Sequence, residues 1–279
     1  MLSKEINFQK NTADINNRKF FYWEKNKKHK EILILLHGFP GSHNGLLEMA
    51  KGLDDYRLII PDLPACGLSE DLLEHHNLQN YSIWLKNFLE FLCINEAIII
   101  GHSFGSRVAL VFSSNYPDRV KKLILIAPVV KNKGFVAQLA TAEHKIAKVL
   151  PQQLQRAWLS NALFREISNR ILFKSPDSKK RRELIAQGIK DLEDIKPQIN
   201  IEMFEEFYKF DLTPIVSNIQ TKSLIIAGEL DDIAPLSSIQ NFVKQLNNHE
   251  LIIMKYCGHI MVAEKPLTTA SIIRNWIEQ

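Results

Sequence analysis

The chain has 279 residues and 32.1 kDa, 46% hydrophobic and 24% charged, with 11 Gly and 11 Pro. That is the make-up of a globular protein able to bury a sizeable core, and it excludes a disordered, fibrous or disulfide-stapled chain. A net charge of +4 and a pI near 8.8 are too slight over this length to argue for nucleic acid.

Three cysteines, Cys66, Cys93 and Cys257, are sparse and show no CxxC spacing. They read as free thiols in a reducing compartment, which places the protein in the cytoplasm, and not as a zinc site. The segment Met1–Phe8 alternates polar and apolar residues and lacks the apolar stretch of an export signal. The best apolar runs, Ile32–Leu36 and Leu123–Ala127, are five residues each, whereas a membrane span needs roughly 18. No span is expected.

In chain order, Lys19–Trp23, Ile32–Leu36, Leu58–Pro61, Ala97–Gly101, Lys122–Ala127, Leu224–Ala227 and Leu251–Met254 predict strands. They are apolar throughout, so both faces are expected to be buried, as in a parallel sheet covered by helices. Between them, Tyr81–Cys93 predicts an amphipathic helix on Ile83, Trp84, Phe88, Leu89, Phe91 and Leu92. Phe104–Tyr116 predicts another, stopped by Pro117. Strand and helix alternate, which is the α/β pattern.

The alternation is interrupted over 131–213, which predicts an inserted helical subdomain between two parts of a core, 1–130 and 214–279. One helix is expected at Trp158–Phe173, with Leu159, Leu163, Phe164, Ile167 and Ile171 on one stripe, and another near Met203–Phe210. Residues 131–182 carry 12 Lys or Arg against 3 Asp or Glu, and 183–211 carry 3 against 8. Two readings stay open. Lys174, Lys179, Lys180, Arg181 and Arg182 could dock an acidic carrier protein or anionic lipid, or the two halves could neutralise each other or be solvated, the reading favoured. The basic run has no interleaved aromatics, which excludes single-strand nucleic acid binding there.

The most informative segment is Ile98-Ile99-Ile100-Gly101-His102-Ser103-Phe104-Gly105-Ser106-Arg107. A strand running into G-x-S-x-G and then a helix presents Ser103 at a tight bend, with glycines where chains must pass closely. A serine hydroxyl needs a positioned base and a group to orient that base. His259, in Tyr256-Cys257-Gly258-His259, follows the last strand, whereas His29, His75, His76 and His249 sit in polar surroundings and are expected at the surface. Asp231 and Asp232 lie in an acidic loop after Leu224–Ala227.

These motifs resemble the α/β-hydrolase superfamily, of the type with a helical cap, from about Phe20 to Trp276. The resemblance implies a mostly parallel central sheet flanked by helices, an inserted cap, and the order nucleophile, acid, histidine, which falls on Ser103, Asp231 and His259. The family's G-x-x-D spacing runs from Gly228 to Asp231, with Asp232 as the fallback. Its G-H-x-x-x-x-E-x-P ending falls on Gly258, His259, Glu264 and Pro266. The backbone N–H groups of Phe104 and of Phe39, in Leu36-His37-Gly38-Phe39-Pro40-Gly41, are implied as oxyanion donors. Asp62–Ser69 resembles the family's D-x-x-G-x-G-x-S loop with Ala65 where glycine is usual, and Ser106 replaces a second glycine after the elbow.

Related dehalogenases and epoxide hydrolases carry aspartate at the elbow, so Ser103 argues against both. No phosphate-loop, dinucleotide or H-E-x-x-H motif is present, and no metal or cofactor is expected. The implied function is cleavage of a carboxylic ester or related acyl bond in a small-molecule, largely apolar substrate. Carbon–carbon or thioester hydrolysis, perhydrolysis, cleavage of a carrier-protein methyl ester, and a ligand receptor that retains the three residues are the alternatives.

Overall fold

A computed structural model describes residues 8–130, 135–159 and 178–279. Its strands are β1 (Gln9–Ile15), β2 (Arg18–Lys25), β3 (Ile32–Leu36), β4 (Arg57–Pro61), β5 (Ala97–His102), β6 (Val120–Ile126), β7 (Ser223–Gly228) and β8 (His249–Met254). They form one sheet in the order β1-β2-β4-β3-β5-β6-β7-β8, parallel from β4 to β8 and antiparallel at β1 and β2.

Side chains alternate across a strand, so a run of consecutive apolar residues feeds two cores at once. Ile34, Leu36, Ile99, Leu123, Leu125 and Ile225 face one core, completed by α2 (Leu78–Phe91), α3 (Phe104–Asn115) and a helix at Leu236–Val243. Leu33, Leu35, Ile98, Ile100, Ile124 and Ile226 face the other, against α1 (Asn44–Ala50) and the terminal helix Pro266–Ile277. The central strands β3, β5, β6 and β7 are thus buried on both faces, as expected of them.

The edges depart from that expectation. The Lys19–Trp23 run lies in β2, which is antiparallel to both neighbours and alternates buried with half-buried residues. β1 was not expected at all: only Ala13 and Ile15 of it are buried, so its composition carries no apolar run. β8 closes the other edge, and only its Met254 is buried. Helix α2 begins at Leu78, where Asn77 accepts the Asn80 N–H at 2.8 Å and caps it. Ile83 and Phe91, expected on its apolar face, are exposed.

Between β6 and β7 the described residues are helical: α4 (Phe135–Val149), α5 (Gln152–Leu159), α6 (Ser178–Glu193), α7 (Pro197–Lys209) and the short α8 (Thr213–Val216). The expected helix Trp158–Phe173 lies mostly outside the described residues, with α5 ending at Leu159. Lys148 of the basic half bonds Glu205 of the acidic half at 2.6 Å, one instance of the two halves neutralising each other. Arg181 and Arg182 are exposed, and Lys174 lies outside the described residues. No described helix is long and apolar enough to cross a membrane.

Candidate active site

The chain passes from β3 outward to β4 and returns to lay β5 on the other side of β3, with Leu36 beside Gly101. The direction of winding reverses between these two strands, and in open α/β sheets ligands bind in the crevice at the carboxyl ends of the strands at such a point. Both loops read from sequence as functional, His37–Gly41 and His102–Gly105, begin there.

Ser103 sits between β5 and α3 with φ 52° and ψ −112°, a conformation that costs a non-glycine residue about 1–3 kcal/mol and persists only if its surroundings hold it. The holding contacts are backbone ones. Its N–H donates to the Ile126 carbonyl at 2.9 Å, and its carbonyl accepts the Ser106 N–H at 3.0 Å. The Ser106 hydroxyl donates to the Gly101 carbonyl at 2.6 Å, so the serine that replaces a family glycine braces the bend.

His259 Nε2 lies 2.8 Å from Ser103 Oγ, and its Nδ1 lies 2.8 Å from Asp231 Oδ2. All three are buried, at 5%, 3% and 4% exposure for Ser103, His259 and Asp231. With a carboxylate as acceptor at Nδ1, the proton resides there and Nε2 accepts from the serine hydroxyl. Burial alone would raise the Asp231 carboxyl. The His259 imidazole, its hydrogen bond and the Ala234 and Ile233 N–H groups outweigh burial and hold the carboxyl below the usual range. Asp232 is exposed, so the geometry brings Asp231 and not its neighbour to His259.

Gly38 presses against the same serine: a Cβ there would stand 3.2 Å from Ser103 Cβ and from His102 Nδ1. That closeness sets Phe39 beside Ser103. Phe104 opens α3, where backbone N–H groups have no partner inside the helix. Among the described residues neither the Phe39 nor the Phe104 amide donates to a protein acceptor. The two side chains meet each other at 6.1 Å and both meet Phe207 of α7, at 6.5 and 5.5 Å between centroids.

Three residues had no role in the sequence reading. Burial and the neighbouring His259 pull His102 down to about 3, so its ring is neutral and its Nε2–H donates to the His259 carbonyl at 3.0 Å, tying the two loops. Arg107 is fully buried on α3, and its being the one charge among the apolar residues that follow the elbow was the available signal. Phe207 was visible only as one of several aromatics.

His76, expected at the surface, is 2% exposed. Polar sequence neighbours misled because its ring turns inward, donating from Nδ1 to Tyr81 Oη at 2.9 Å while Tyr81 donates to the Pro64 carbonyl. Burial holds it near 4 and neutral. Ala65 stands at φ 64°, which explains why glycine suits that place. Burial pushes the Cys66 thiol well up and the Cys257 thiol up to about 11, so neither is a ready nucleophile.

A family model of the alpha/beta hydrolase fold matches residues 31–266. The chain belongs to this family. Among relatives of the hydrolase fold, a monoacylglycerol lipase of Mus musculus is 25% identical over 89% of this chain and 76% of its own length. A 2-hydroxy-6-oxononadienedioate/2-hydroxy-6-oxononatrienedioate hydrolase of Escherichia coli is 24% identical over 82% and 81%. The crystal structure of the enol-lactonase from Burkholderia xenovorans LB400 superposes with a TM-score of 0.83, covering 96% of this chain and all of that one at 13% identity. That likeness shows the α/β-hydrolase fold alone.

Proposed function

We propose that this protein is a serine hydrolase that cleaves a carboxylic ester, or a related acyl bond, through an acyl-enzyme intermediate. The observation that carries the proposal is the chain from Ser103 through His259 to Asp231, both links at 2.8 Å, on a strained bend between β5 and α3. Ser103 Oγ attacks the acyl carbonyl while His259 Nε2 takes its proton, and Asp231 stabilises the imidazolium. The Phe39 and Phe104 N–H groups hold the oxyanion. His259 returns the proton to the departing alcohol, and water, deprotonated by His259, then releases the acid and restores the serine.

In this reading 131–213 is a cap over a core made of 1–130 and 214–279. Phe207 of α7 against Phe39 and Phe104, and Ser42 donating to Asp191 of α6 at 3.2 Å, support a cap seated on the crevice. An aromatic wall favours an apolar acyl or alcohol group, and the lipase relative points the same way. The test is a p-nitrophenyl ester series from acetate to decanoate. Saturable turnover with an optimum at short-to-medium chains is expected, and no turnover above background for any ester would refute the proposal.

A further inference from the structure

The buried guanidinium of Arg107 has no carboxylate within ion-pair distance among the described residues. All its acceptors are backbone carbonyls. Nη1 donates to Val129 O at 2.5 Å, with Val130 O at 3.5 Å. Nη2 donates to Glu206 O and to Phe210 O, each at 2.6 Å. Val129 and Val130 lie where the chain leaves β6 for the helical insertion, and Glu206–Phe210 lie where α7 ends on the way back to β7. One nitrogen holds the way out and the other the way in.

A buried charge is costly unless its donors are satisfied; both Nη groups are, whereas the buried Nε has no acceptor among the described residues. Here desolvation pulls the group down to about 10, which still leaves it protonated. The planar fork suits this task in a way a lysine cannot match, since two nitrogens at fixed separation reach two chain segments at once. The guanidinium also lies over the Phe207 ring, 5.5 Å from its centroid. Phe207 touches Phe39 and Phe104, the residues flanking the nucleophile, and Phe104 shares α3 with Arg107.

We infer that Arg107 is a positioning residue that fixes both ends of the helical insertion to the elbow helix and, by holding Phe207 against Phe39 and Phe104, sets which acyl chains the crevice accepts. For its substrate this rests on the hydrolase reading. The fold has other ties at the same place. Glu202 accepts the His76 N–H at 3.0 Å and Glu206 Oε2 accepts the Leu78 N–H at 2.9 Å, so loosening Arg107 need not release α7 altogether.

The test compares Arg107→Lys, Phe207→Leu and the double variant across the p-nitrophenyl ester series, with hydrogen–deuterium exchange of 206–210 read alongside. Arg107→Lys is expected to raise KM for the preferred ester about tenfold, the scale of a pocket losing one apolar contact, with a much smaller change in kcat. It should also broaden the chain-length profile. Phe207→Leu should do the same, and the double variant should do no more than either single one, because both act on one contact. Exchange at 206–210 should quicken in Arg107→Lys.

Additive effects, a fall in kcat at constant KM, or an unchanged profile would overturn the inference. If Arg107→Lys does not fold, an unchanged profile in Phe207→Leu overturns it. If the native protein turns over no ester, the hydrolase reading fails separately, and unchanged exchange at 206–210 in Arg107→Lys still decides against Arg107.

Discussion

Replacing Ser103 by alanine is expected to lower kcat for an ester on the order of a millionfold, with little change in KM. In the proposed mechanism Ser103 and His259 act as a unit, so Ser103→Ala/His259→Ala should lose no more than Ser103→Ala alone. Asp231→Asn should cost less, about 10⁴-fold, because the imidazole is still present but held in the wrong tautomer. A residual rate should survive all three changes, since the Phe39 and Phe104 amides and the apolar wall are untouched by them. Steady-state kinetics with active-site titration checks the series. Additive losses in the double variant would mean that the 2.8 Å contact between Ser103 and His259 is not a working proton path.

The largest expected effect on stability comes from Gly105→Ala. A Cβ at Gly105 would stand 2.2 Å from the Leu36 carbonyl oxygen and 2.7 Å from that of His37. Leu36 ends β3 and His37 follows it directly, and β3 is hydrogen-bonded between β4 and β5, so neither side can retreat. Overpacking of this kind reaches or exceeds about 3 kcal/mol, which lowers Tm by roughly 5 °C or more in a chain of this size. Gly188→Ala is the control. It makes the same chemical change inside α6, where nothing lies within 4 Å, and should stabilise by up to about 1 kcal/mol through helix propensity. Thermal unfolding followed by circular dichroism separates the two signs. A Tm for Gly105→Ala within a degree of the native value would contradict the packing at the elbow.

How far the sequence revealed this architecture follows from where each residue's partners lie. β3, β5, β6 and β7 were legible because burial on both faces forces short β-branched runs such as Ile98-Ile99-Ile100 between turn signals. β1 escaped because an edge strand with only Ala13 and Ile15 buried needs no such run. Ser103, Asp231 and His259 were legible because each lies in a short strand-end loop whose glycines fix the spacing. Arg107 was not legible in its role, since its acceptors are backbone carbonyls about a hundred residues away at Glu206 and Phe210, and a carbonyl leaves no mark in sequence. His76 was misread for a similar reason, because Tyr81 one turn into α2 turns a polar stretch inward.

The decisive measurement is peptide mapping by mass spectrometry after reaction of the native protein with a fluorophosphonate. A single phosphonyl group on the peptide carrying Ser103, absent in Ser103→Ala and formed far more slowly in His259→Ala, is the expected result. No adduct, or an adduct on another residue such as Ser42 or Ser106 at the same rate in both variants, would contradict the assignment of Ser103 as the nucleophile.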